Sequence, residues 1–189
     1  MKKLPLVNTL LIVIPAILGV IVFFMSFGVA GEVIYSESGH SLKMVFGNTI
    51  WGPNELRAYV DNQFQASTNI PAQYSKASFL PIFGYILTIL GSLLSFIALA
   101  IKDRKARIGF LVFIGAIILL GGIFQFFAGE SIYATSAKMA GMSIEEVKRG
   151  SMQSGEVVTP GFLGIFGAIL TMLSAATIAL SQFVTAKKR

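Results

Sequence analysis

Cysteine is absent from this 189-residue chain, histidine and tryptophan occur once each, and aspartate and glutamate together supply only nine residues. Without cysteine there is no disulfide to pin a loop, no thioether lipid anchor, no thiol chemistry and no Cys-based metal site. The single histidine, His40, has no second ligand at metal-site spacing. No Ser/His/Asp set, phosphate-binding glycine loop or paired carboxylate in a polar pocket can be assembled from what is there. The expectation is therefore no catalytic residue, no metal, no cofactor and no enzyme. Charged residues make up 13% of the chain, about half the share of a soluble domain. Such a surface is mostly covered by lipid.

What is abundant is apolar sequence, 54% of all residues. Four runs reach the length of about 20 residues that a helix needs to span a bilayer. They cover 6–30, 79–101, 108–128 and 161–184, with charges only at their ends. The expected fold is an all-α integral membrane protein, a bundle of four transmembrane helices. The first run, with Lys2-Lys3 before it and Gly28-Val29-Ala30 at its end, has the outline of a secretory signal. At about 25 residues it is longer than the roughly 7–15 of a signal core, and it is expected to be retained as a span.

The net charge of +6 is distributed by side rather than gathered into a nucleic-acid surface. Lys2, Lys3, Lys102, Arg104, Lys105, Arg107, Lys187, Lys188 and Arg189 flank one side, where only Asp103 opposes them, giving +8. The 31–78 and 129–160 segments hold six basic and eight acidic residues, giving −2. By the positive-inside rule both termini and the 102–107 loop are cytoplasmic, and the two longer loops face outward. The basic residues then set topology and lie among anionic headgroups. The Met-Lys-Lys start and compact loops suit a bacterial plasma membrane.

The chain reads as one hairpin used twice. Phe79–Leu90 and Phe162–Leu173 agree at nine of twelve positions without a gap, including Phe-Gly and Leu-Thr. Ala30–Tyr35 and Ala128–Tyr133 agree at five of six, including Glu and Tyr. Residues 1–107 would form the first hairpin and 108–189 the second. Both enter from the same side, so the repeat is parallel, with a pseudo-two-fold axis along the membrane normal.

In lipid, helices associate through close packing of small residues. Gly84, Thr88 and Ser92 recur every four residues on the second span, and Gly167, Thr171 and Ala175 on the fourth. These are the candidate packing residues. Gln125 is the most polar residue inside a span and is expected to hydrogen-bond between helices. Asn8 and Thr9 are expected to be solvated near the cytoplasmic surface. No ionisable residue lies deep in a span, where pumps and coupled transporters usually keep one.

The first outer loop is expected to form a small, partly β outer cap. Glu32–Ser38 and Ser41–Phe46 read as strands flanking Gly39-His40, with a second turn at Gly47-Asn48. Gly52-Pro53-Asn54 breaks the chain, and Asn54 would cap a helix over 55–65 with Leu56, Tyr59, Val60 and Phe64 on one face. Trp51 reads as an interface anchor or a core residue of the cap. In the second loop, Ser143-Ile144-Glu145-Glu146 is a capping box with Met142 and Val147 placed as a staple, and Gly150 would end that helix.

Four spans, a β-rich first outer loop, a short basic inner loop and a smaller second outer loop resemble the layout of the claudin-like tetraspan proteins. The first-loop signature of that family pairs a Gly-Leu-Trp with two cysteines. This loop has Trp51 and no cysteine, so no residue is carried across.

Glu32 with Tyr35 and Glu130 with Tyr133 are the candidate ligand-binding residues. On helices, an i, i+3 spacing would put each pair on one face, and a pseudo-two-fold would bring two carboxylates to the outer surface for a cation. The plainer reading has tyrosine in the aromatic belt and glutamate at the water boundary. Functionally, the chain is expected to be a non-enzymatic scaffold or accessory subunit. It would work through helix packing and outer-loop contacts with another membrane protein or with itself as a homo-oligomer. The alternative is a small channel or transporter with a path near the pseudo-two-fold or an oligomer axis. The lipid bilayer is the one certain partner class; nucleic acid is not expected.

Overall fold

The computed structural model describes residues 6–37 and 39–186. Lys2, Lys3, Lys187, Lys188 and Arg189, which carry part of the topology expectation, lie outside them, as does Ser38 at the first turn.

Among the described residues, six α-helices and five strands follow in the order α1 (Leu6–Met25), β1 (Gly31–Glu37), β2 (His40–Gly47), β3 (Glu55–Val60), β4 (Gln63–Asn69), α2 (Phe79–Ala100), α3 (Arg104–Gln125), α4 (Glu130–Ala140), α5 (Ile144–Ser154), β5 (Val157–Thr159) and α6 (Gly161–Ala186). Four helical stretches, starting at Leu6, Phe79, Arg104 and Gly161, are long and apolar enough to cross a membrane, which makes this a multi-pass membrane protein. The third is longer than the expected 108–128. It starts at Arg104, because the Asp103 carboxylate accepts the Ala106 N–H at 2.6 Å and caps it. It continues through a 3-10 turn at Phe126–Gly129 into α4.

The chain divides into two compact units. The first comprises the described residues up to Phe24, Phe83–Phe124 and those from Phe166 on. Its core takes Ile12 from α1, Ala98 from α2, Leu111, Ile114 and Ile118 from α3, and Ala175 and Ile178 from α6. On α2 the buried positions Gly84, Thr88, Ser92 and Ser95 follow helical spacing, so one stripe faces the neighbours. Two of the buried hydroxyls are satisfied by carbonyls of their own helix: Thr88 donates to Gly84 O and Thr171 to Gly167 O, both at 2.9 Å. Ser95 also donates across to Ile12 O on α1 at 3.2 Å. Asn8, expected to be solvated, is 2% exposed; it lies on the inward stripe of α1 with Ile12, Pro15 and Gly19. Gln125 is fully buried.

The second unit, Met25–Ile82 with Gln125–Ile165, is an antiparallel sheet packed by short helices. Strand order is β4-β3-β2-β1-β5. The sheet is therefore larger than a first-loop cap, because β5 comes from the 129–160 segment and pairs Val33 with Val158. The helix expected over 55–65 is instead the β3–β4 hairpin. Leu56, Ala58 and Val60 alternate as a strand requires, and Asp61 and Asn62 take positive φ (49° and 64°), the two-residue turn that matches strand twist. Asn54 caps no helix; its carbonyl accepts the Ile70 N–H. One face of the sheet supplies Val33, Phe46 and Leu56 to a core shared with Ile70 and Ile132. The Ser143 capping box forms as expected. Gly150 lies within α5, and the helix ends at Gly155, whose φ of 72° is a conformation that glycine adopts without strain.

Candidate functional site

The two Glu/Tyr motifs share a sequence but adopt different structures. In the first copy Glu32 and Tyr35 lie on β1, where residues three apart point to opposite faces. The single-face arrangement expected for that pair needed a helix. The β-branched run Val33-Ile34 pairs with β2 instead. In the second copy, Ser131 and Ala134–Ala137 continue a helix, and Glu130 and Tyr133 share a side of α4.

Each glutamate already has a lysine. Glu32 pairs with Lys43 at 2.9 Å, across the β1–β2 ladder. Lys148 on α5 donates to both Glu130 oxygens at 2.6 and 2.8 Å, and its ammonium lies 5.4 Å from the Tyr133 ring centroid. These side chains keep roughly a quarter to a third of their surface exposed. The motif copies meet through apolar members: Val33 and Ile132 share one core cluster, and a methyl on Gly31 would lie 2.5 Å from Ile132 Cδ1. Because Glu32 and Val33 alternate, Glu32 faces away from Ile132.

A cavity of about 340 Å³ lies between the sheet and the α4–α5 hairpin. Val33, Phe46, Ile132 and Val158 give it an apolar floor; Tyr133, Ser136, Glu146 and Glu156 bring polar atoms to it. Of the four candidate ligand-binding residues, only Tyr133 lines it. Glu146 was legible in sequence as a helix cap, and its capping bonds to Ser143, backbone N–H first, hold its carboxyl below the ordinary value. Glu156 carried no sequence signal, because the turn after α5 and the β1–β5 register together place it.

The packing residues fall into close contacts in the helical unit. A methyl on Gly121 would lie 2.5 Å from Thr88 Oγ1 and 2.8 Å from Gly84 O, and one on Gly122 would lie 3.3 Å from the Thr171 methyl. Adjacent glycines on α3 thus receive Gly84 and Thr88 of α2 on one side and Thr171, Met172 and Ala168 of α6 on the other. A methyl on Gly19 would overlap the Ser92 side chain. Beside these filled contacts, α3 and α6 leave an apolar groove of about 370 Å³ lined by Leu111, Gly115, Ala116, Ala175, Ala176 and Ala179. His40 hydrogen-bonds Asp61 at 2.8 Å on an exposed hairpin. Trp51 stacks on Phe27 with centroids 5.3 Å apart and donates to Ser26 Oγ. Among the described residues, no three of His, Cys, Asp or Glu group as a metal site.

These features define a multi-pass membrane protein that also carries a unit with a five-stranded antiparallel sheet. No known protein-family model matches the chain, and no curated protein is similar to it in sequence.

Proposed function

We propose that this protein is a non-enzymatic membrane scaffold or accessory subunit, which takes an apolar transmembrane helix of a partner into the α3–α6 groove. The observation that carries the reading is the contrast between filled and open small-residue sites. Gly121, Gly122 and Gly19 receive side chains or backbone of this chain itself. Gly115 and Ala175 sit at the floor of the groove, while Ala116, Ala176 and Ala179 are exposed along it. Between apolar helices in lipid the drive comes from close packing, and small residues are what let a second backbone approach. Charge placement supports a plasma-membrane protein with both termini cytoplasmic, and the sequence repeat supports two tandem parallel hairpins.

Photocrosslinkers introduced in native membranes at Ala116 and Ala176, with Phe96 on an exposed part of α2 as control, test the reading. Adducts to one defined transmembrane helix at the groove positions are expected, whether from a second copy or from another protein, together with their loss in Ala179→Trp. Adducts to lipid alone, or equal adducts at Phe96, would overturn it.

A further inference from the structure

The cavity between the sheet and the α4–α5 hairpin combines two properties that ordinary packing does not require. Its floor is apolar and closely built, with Val33, Phe46 and Ile132 each no more than 4% exposed. Its polar atoms are only partly used. Glu146 Oε2 accepts from the Ser143 N–H and hydroxyl, and Glu156 Oε2 accepts from Ser151 Oγ at 2.6 Å. Oε1 of both carboxylates and the hydroxyls of Tyr133 and Ser136 have no partner among the described residues. Among the described residues no cationic side chain lines the cavity, and Lys148, next to the lining residue Val147, is already bidentate on Glu130.

We infer that this cavity binds a small organic cation, a protonated amine carrying a compact apolar body. The charge balance selects the sign: two carboxylates face the space and no cation lines it. The floor selects the body, since an apolar surface in a pocket with a few convergent polar atoms is the usual form of a small-molecule site. Its volume of about 340 Å³ fits a ligand of the size of phenethylammonium, at the small end of such sites, roughly 300–1,000 Å³. The ammonium group would donate to the two free Oε1 atoms and the Tyr133 or Ser136 oxygen, with the ring against Phe46 and Ile132. A metal ion would gain nothing from that floor. The site is separate from the α3–α6 groove and does not depend on it.

Calorimetric titration of phenethylammonium into the full chain, held in phosphatidylcholine nanodiscs with empty nanodiscs subtracted, tests the inference. Saturable binding is expected, with neutral 2-phenylethanol and anionic 3-phenylpropionate at least about tenfold weaker, the worth of a charge-assisted hydrogen bond. Glu156→Gln should weaken phenethylammonium about tenfold and leave 2-phenylethanol unchanged. Glu146→Gln should do the same, and it keeps the cap, because glutamine serves at that position of a capping box. Equal affinity of the cation and the alcohol for the unmodified protein would overturn the proposal, as would the absence of saturable heat. So would a folded Glu146→Gln/Glu156→Gln protein that binds as tightly as the parent.

Discussion

Replacing Gly121 by alanine adds one methyl group at a close contact between α2 and α3. That methyl would stand 2.5 Å from Thr88 Oγ1, 2.8 Å from Gly84 O and 3.1 Å from Thr88 N. Two of the three obstacles are backbone, so no rotamer change relieves them. Turning the Thr88 hydroxyl away would also give up its bond to Gly84 O. Helices α2 and α3 must separate, at the cost of an overpacked core, about 1–3 kcal/mol. Gly109, on the same helix, has nothing within 4 Å of an added methyl. Gly109→Ala should be neutral or gain about 0.5–1 kcal/mol by restricting the unfolded chain. The two variants should therefore differ by about 1–4 kcal/mol, a ratio of roughly fivefold or more in folded over unfolded protein. Reversible unfolding in mixed micelles, followed by helical circular dichroism, measures that gap. If Gly121→Ala unfolds within about 0.5 kcal/mol of Gly109→Ala, the close approach does not exist as described.

In the sheet unit, Asn62→Gly should retain stability, whereas Asn62→Val should lose about 1–3 kcal/mol. A β-branched residue is strained at φ 64°, and amide exchange along β3 and β4 reads the difference. Acid should loosen α5 and the β2–β3 end. The Glu146 carboxyl is held low by its bonds to Ser143, and the Asp61 carboxyl by His40 and then the Ser41 N–H. A carboxylate with a lowered folded value stabilises above the unfolded value and loses that contribution as pH falls through it. Exchange protection of α5 should thus hold at pH 6 and decline below about 4.5, the ordinary glutamate value, and Glu146→Gln should remove that dependence.

Local signals proved legible and long-range ones did not. The four apolar runs and the Ser143 box are written within a few residues of themselves, and both appear where the sequence puts them. The 55–65 segment was ambiguous for a physical reason: Leu56, Tyr59, Val60 and Phe64 fit a helical face, while Leu56, Ala58 and Val60 fit a strand. The Asp61-Asn62 turn decides between them, and β2 supplies the partner. β5 is three residues long, too short for its own periodicity, and exists because β1 offers an edge. The lysine partners of Glu32 and Glu130 depend on the β1–β2 register and on the α4–α5 turn, and neither can be read one residue at a time. The repeat did pick out Tyr133, the one candidate at the cavity, although for a different reason.

The pairing of β5 with β1 also fixes an order of events. β1 and β2 are complete once Gly47 has been made, yet the second edge of β1 waits for Val157–Thr159, more than a hundred residues later. At the usual pace of synthesis, about 5–20 residues per second, that is roughly five to twenty seconds. Throughout this interval the backbone of Glu32–Ile34 is an open edge, available to any other extended chain. A ribosome stalled after α2 would hold the protein in that vulnerable state, and only the second half of the chain can close it.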